Sequence, residues 1–169
     1  MGALVVDASA FEEIEADRQA AVQAVAVVAM VCVASGLGAM GPGAVSLSTF
    51  TTGALVALGA WLVWAAVIIT LGTVTVPEPQ TRSNLPELLR VLGFASAPGV
   101  FIALAAMRSA APFVLVVVTT WMIAGAVIGV RQALDYRSTP RAIAVCAVAF
   151  LLSSGVVFAA LMIFSTKVS

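Results

Sequence analysis

The chain has 169 residues, of which 62% are hydrophobic and 9% charged, with a formal net charge of 0 and no histidine. Its mean hydropathy is +1.15. An ordinary soluble domain is about 25% charged, so this composition excludes a soluble globular protein. Neutrality removes the basic footprint of a nucleic-acid partner, and the missing histidines remove the commonest metal ligand and near-neutral proton carrier.

The charges are confined to short clusters. Residues 19–76, 109–130 and 142–166 hold no Asp, Glu, Lys, Arg or His. These stretches read as membrane spans and the clusters as loops, giving an all-α, polytopic transmembrane helical bundle. Residues 1–18 form a short acidic cytoplasmic segment, and 19–169 a single transmembrane domain. The acidic segment carries Asp7, Glu12, Glu13, Glu15 and Asp17 in place of a basic leader, so the first apolar stretch is expected to be a retained span. Ser9 and Glu12 have capping-box spacing and predict a helix over residues 9–18.

Span 1 covers 19–40, 22 residues and roughly 33 Å at helical rise, enough for a hydrocarbon core of about 30 Å. The glycine-rich run from Gly36 through Pro42 to Gly43 is expected to break it. Ser46, Ser48, Thr49, Thr51 and Thr52 then predict a polar turn. Span 2 covers 53–76; Trp61 and Trp64 share one face near its middle and read as packing residues. Pro77-Glu78-Pro79 ends it, and 80–84 form a polar loop.

Asn84, Pro86 and Glu87 fit the start of a helix. Leu85, Leu88, Leu89 and Leu92 follow at i, i+3, i+4 and i+7, with Glu87 and Arg90 facing away. This predicts an amphipathic helix in the membrane interface before span 3. Gly93 and Pro98 separate it from the next apolar piece, and 91–107 supplies 17 residues, the low end of a span. Span 4 covers 112–130. Arg131, Asp135, Arg137 and Arg141 make a charged loop, and span 5 covers 142–164.

Charge placement distinguishes five spans from four. Basic residues gather on the cytoplasmic side. Five spans put Arg18, Arg82, Arg90, Arg131, Arg137 and Arg141 on one side and Arg108 and Lys167 on the other, six against two. If 91–107 dips in and returns, the split is five against three. Five spans fit better, with the N-terminus cytoplasmic and the C-terminus outside. The compact, Ala- and Val-rich make-up points to a prokaryotic cytoplasmic membrane.

The string Glu87-Leu88-Leu89-Arg90-Val91-Leu92-Gly93-Phe94-Ala95-Ser96-Ala97-Pro98 resembles the signature of the Yip domain family (Ypt-interacting-protein type). Trp121, the run Gly129-Val130-Arg131-Gln132-Ala133-Leu134, and Arg141-Ala142 opening span 5 extend the resemblance over residues 81–152. It implies a five-span bundle with a cytoplasmic N-terminus. Eukaryotic members are linked to vesicle trafficking and Rab-type GTPases through long cytosolic N-terminal regions. This chain has fewer than twenty residues there, a departure that counts against GTPase binding.

The remaining patterns are weighed on chemistry. Gly125 and Gly129 form a GxxxG suited to helix packing, within the bundle or across a dimer. Arg131, Arg137 and Arg141 suit lipid headgroups or an acidic partner surface. Cys32 and Cys146 sit mid-span and read as buried hydrophobes. Span hydroxyls such as Thr70, Thr119, Thr120, Ser153 and Ser154 more often bond their own helix than line a path. No nucleophile–base pair is visible, so no catalytic residue, cofactor or metal is expected. The reading is a non-catalytic scaffold or accessory subunit whose partners are the lipid bilayer and other membrane proteins or further copies of itself. The alternative is a transporter or channel for a small neutral solute.

Overall fold

The structure is a computed structural model that describes residues 20–41, 46–75 and 85–168. The expected helix over 9–18, the Pro42 and Pro77–Pro79 breaks, the Asn84 cap and the 80–84 loop lie outside the described residues.

Among the described residues, five helices are long and apolar enough to cross a membrane: Ala20–Met40, Leu47–Val74, Leu85–Ala106, Ala111–Ala133 and Thr139–Ala159. Helix α1 is Ala20–Met40 and α2 is Leu47–Thr70, which continues as a π-helical turn over Leu71–Thr75. The third span opens as α3, Leu85–Ala95, and continues beyond Ser96 as a 3-10 helix over Ala97–Ala106. Helices α4, Ala111–Ala133, and α5, Thr139–Val168, complete the bundle.

The contacts fix the directions. Gly93 lies against Ala24 and Gly38 against the Ile102 carbonyl, so α1 and the third span run parallel. Only six residues, 41–46, separate α1 from α2, and the two helices pack along each other with Gly36 against Phe50 and Gly53, so α2 returns antiparallel. Gly125 faces Ala95, and the Phe101 and Trp121 rings stack with centroids 6.1 Å apart and planes 12° off parallel, so α4 also returns. Helix α5 packs on α2 and α4. The start of α1, the start of α3 and the α4–α5 connection therefore share one end. The α1–α2 connection and Arg108 occupy the other.

Helix α1 continues through Gly36 and Gly38 to Met40, and Gly41 after it takes φ +65°. The first two glycines act as contact surfaces. In lipid, helices gain little by hiding apolar area from one another, and close backbone approach through small residues supplies the packing instead. A Cβ on Gly38 would collide with the Ile102 carbonyl. The polar run after Ser46 is helical too. The Ser46 hydroxyl caps α2 by accepting from the Thr49 N–H at 3.4 Å, and the Thr51 hydroxyl donates to the Leu47 carbonyl at 2.9 Å. Hydroxyls satisfied by their own helix do not interrupt it.

The amphipathic segment differs most from expectation. Leu88 and Leu92 are completely enclosed by protein, Leu89 is partly buried and Leu85 is half-exposed. Arg90, on the face expected to be polar, is only 7% exposed. Helix α3 is thus wedged between α1 and α4, and two of the four leucines meet protein instead of the lipid interface. Nor does Gly93 separate it from the next piece. Ser96 and Pro98 only change the helix type. The Ser96 N–H is shared between the Leu92 and Gly93 carbonyls, both at 3.2 Å, and the Gly99 N–H reaches the Ser96 carbonyl at 2.8 Å. Pro98 has no N–H to give residue 94, so the four-residue ladder stops and the tighter three-residue pattern takes over. Ten 3-10 residues rise about 20 Å against about 15 Å as α-helix. With eleven α residues beneath them, they bring the third span to a crossing length of roughly 36 Å.

Helix α4 ends in a Schellman-type cap. The Tyr136 N–H reaches the Arg131 carbonyl at 2.8 Å and the Asp135 N–H the Gln132 carbonyl at 2.9 Å, with Asp135 at φ +53°. The cap turns Leu134 and Tyr136 inward, where both are buried.

Candidate functional site: an uncharged cavity between the spans

Two polar contacts pin the core. The Trp61 indole N–H donates to the Ser96 hydroxyl at 2.9 Å, and that hydroxyl donates to the Leu92 carbonyl at 2.8 Å. Ser96 is wholly buried, so one side chain joins α2 to the point where α3 changes helix type. The Tyr136 hydroxyl donates to the Gly72 carbonyl at 2.9 Å, tying the α4–α5 connection to the π-helical turn ending α2. A Cβ on Gly72 would collide with Leu134. Residue spacing alone singled out neither Ser96 nor Tyr136. The available signals were that Tyr136 is the single tyrosine of the chain and that Ser96 lies within the Yip-like string.

The main apolar core lies toward the end that holds these residues. It includes Trp64, Ala65 and Ile68 of α2, Leu88, Val91 and Leu92 of α3, Val130 of α4, and Ala142, Val145, Cys146 and Ala149 of α5. In α2 nothing before Trp64 is buried. In α5, Ser153 is the only buried residue after Ala149 among the described side chains. Helices α2 and α5 therefore share the packed core at one end but not at the other.

A cavity of about 420 Å³ lies above this core. Trp61, Trp64 and Phe150 line it on the core side, and Val31, Ile102, Met122 and Ile123 contribute further wall. Four hydroxyl residues also line it, Ser35, Thr119, Ser153 and Ser154. Ser35 already donates to the Val31 carbonyl at 2.9 Å and Ser153 to the Phe150 carbonyl at 3.1 Å. Ser154 and Phe158 are exposed, so the cavity reaches the outer surface of the bundle along α5. Among the described residues, none that lines it is ionisable.

The volume falls within the usual range of small-molecule sites, roughly 300–1,000 Å³. Water is a poor filler, because an ordered water wants two to four polar partners and two of the four hydroxyl protons are already taken. The Trp64 indole N–H is buried with no acceptor among the described residues.

The residues marked by sequence lie elsewhere. Gly125 and Gly129 are buried within the bundle, with Gly125 close against the Ala95 backbone of α3. Arg131, Arg137 and Arg141 are exposed together around the α4–α5 connection, where the Arg131 Nε donates to the Tyr136 carbonyl at 3.4 Å. The cavity has no counterpart in the sequence reading. Its only hint was Thr119, Ser153 and Ser154 among the span hydroxyls.

Five apolar helices, each long enough to cross a bilayer, define an integral, multi-pass membrane protein. A family model for the Yip1 domain matches residues 1–161, and the chain belongs to that family. The match takes in the two early spans, which lie outside the residues 81–152 that carried the resemblance in sequence. Neither a curated protein nor a solved structure matches the chain.

Proposed function

We propose that this Yip1 domain protein is a non-catalytic scaffold or accessory subunit that holds other membrane proteins or organises the membrane around it. The observation that carries the reading is the distribution of ionisable groups. Among the described residues, Arg90, Arg131, Asp135, Arg137 and Arg141 gather at the end of the bundle where α1 starts, and the mid-span interior holds none. Transport and proton relay normally place ionisable residues at membrane depth. A catalytic site would need a nucleophile, a base or a charge-stabilising group converging in a pocket, and the cavity lining offers hydroxyls and indoles alone. The exposed arginine group fits anionic headgroups or an acidic patch on a partner, each basic residue contributing about 1 kcal/mol near an anionic surface.

The test is affinity purification from membranes in mild detergent, with mass spectrometry of what accompanies the protein. A reproducible membrane-protein partner, lost when Arg131, Arg137 and Arg141 are all changed to Gln, is the expected result. Saturable, solute-specific flux through reconstituted vesicles would replace this reading with a transporter.

A further inference from the structure

We propose that the cavity is a binding site for one hydrocarbon chain of a membrane phospholipid, entering sideways from the bilayer past α5. Every lining residue belongs to one of the five apolar spans. The site therefore opens onto the hydrocarbon layer, where lipid chains are the abundant species and ions and water are scarce. The lining carries no charge, so it offers nothing to a headgroup or an ion. Ser35 and Ser153 direct their protons at their own helices, and the indole N–H of Trp61 is taken by Ser96. Beyond the Thr119 and Ser154 hydroxyls, what remains in the lining is ring and aliphatic surface.

Side-chain choice keeps the space open. Ala57 and Ala60 of α2 present methyl groups where a larger side chain would fill it. A chain seated there covers the flanks of α2 and α5 that the core leaves bare. This gives the protein a bound lipid distinct from the exchanging annulus, independently of whether it acts as a scaffold.

The full chain is reconstituted in vesicles of dioleoylphosphatidylcholine or of the same lipid brominated on its acyl chains. The Trp121→Phe background leaves Trp61 and Trp64, both lining the cavity, as the fluorescent reporters. Bromine quenches indoles only at close range. Trp64 is 8% exposed and Trp61 part-buried, so the fall in quenching when the space is filled reports a chain inside. Filling the space with Ala57→Phe and Ala60→Phe should reduce that quenching to less than half, while Val116→Phe, on the exposed side of α4, should leave it unchanged. Should the double variant fail to fold by circular dichroism, Ser154→Phe at the exposed mouth makes the same comparison. Weak quenching in the unfilled protein, or equal quenching after filling, would overturn the proposal. So would co-purification of a small acceptor-bearing solute, matched to the Trp64 N–H, in place of the lipid.

Discussion

Ser96 makes two hydrogen bonds from one fully buried hydroxyl, to Trp61 and to the Leu92 carbonyl. Its donor bond satisfies the Ser96 proton within its own helix; its acceptor bond satisfies an indole N–H from another. Truncation to Ser96→Ala leaves that indole without its partner at a depth where water is scarce. The expected loss is about 1–2 kcal/mol, at the upper end of what polar contacts between membrane helices deliver. Chemical or thermal unfolding in detergent measures it. Because a missing pair is tolerated better than an orphaned donor, Trp61→Phe combined with Ser96→Ala should cost less than the two single changes added. Strict additivity would show that the bond contributes nothing. Sequence could mark Trp61 as a packing residue from its mid-span place, but not its partner, 35 positions away. The same gap hid Tyr136 and Gly72, 64 positions apart. A hydroxyl carries no periodic signal, and long-range pairing is set by how helices dock.

The third span shows how an element can keep its length and change its character. Its apolar content and its Pro98 were both evident in sequence, and proline was expected to separate two pieces. The carbonyl that loses its α-helical donor lies inside a packed bundle, where a true break would strand several backbone groups without water. Switching to i+3 bonding keeps them paired. Restoring the missing N–H with Pro98→Ala should let α-helix propagate upward and shorten the span by up to about 5 Å, the difference in rise over ten residues. Electron-resonance distances between spin labels at positions 85 and 107 would report the contraction, and an unchanged distance would place the cause in packing against α1. The leucine stripe has a parallel explanation. Its spacing announced one apolar face, and that much stands. Leu88 and Leu92 turned out to be covered by protein because hydropathy treats a neighbouring helix and a lipid tail alike.

For the molecule as a whole, five alternating helices place the start of α1 and the end of α5 on opposite faces. They also separate the charges: Arg108 stands at one end, and the arginines of α3 and the α4–α5 connection at the other. From the positive-inside bias we propose that the α4–α5 end faces the cytoplasm. In a background with Cys32 and Cys146 changed to Ala, a cysteine at Ser138 should react with an impermeant thiol reagent only from the cytoplasmic side, and one at Ser109 only from the other. Labelling of both from one side would remove the odd number of crossings.

What sequence alone determined is the part governed by water against hydrocarbon: five crossings, the clustering of charge and kinship with the Yip family. Each span enters lipid on its own composition, so a local window suffices. What only tertiary structure decided is the part governed by protein against lipid. The burial of Arg90, the wedging of α3 between α1 and α4, and the cavity above the core all depend on which apolar surfaces meet. Within a bilayer those alternatives are nearly equal in hydropathy, and close packing of small residues and a few hydrogen bonds choose between them.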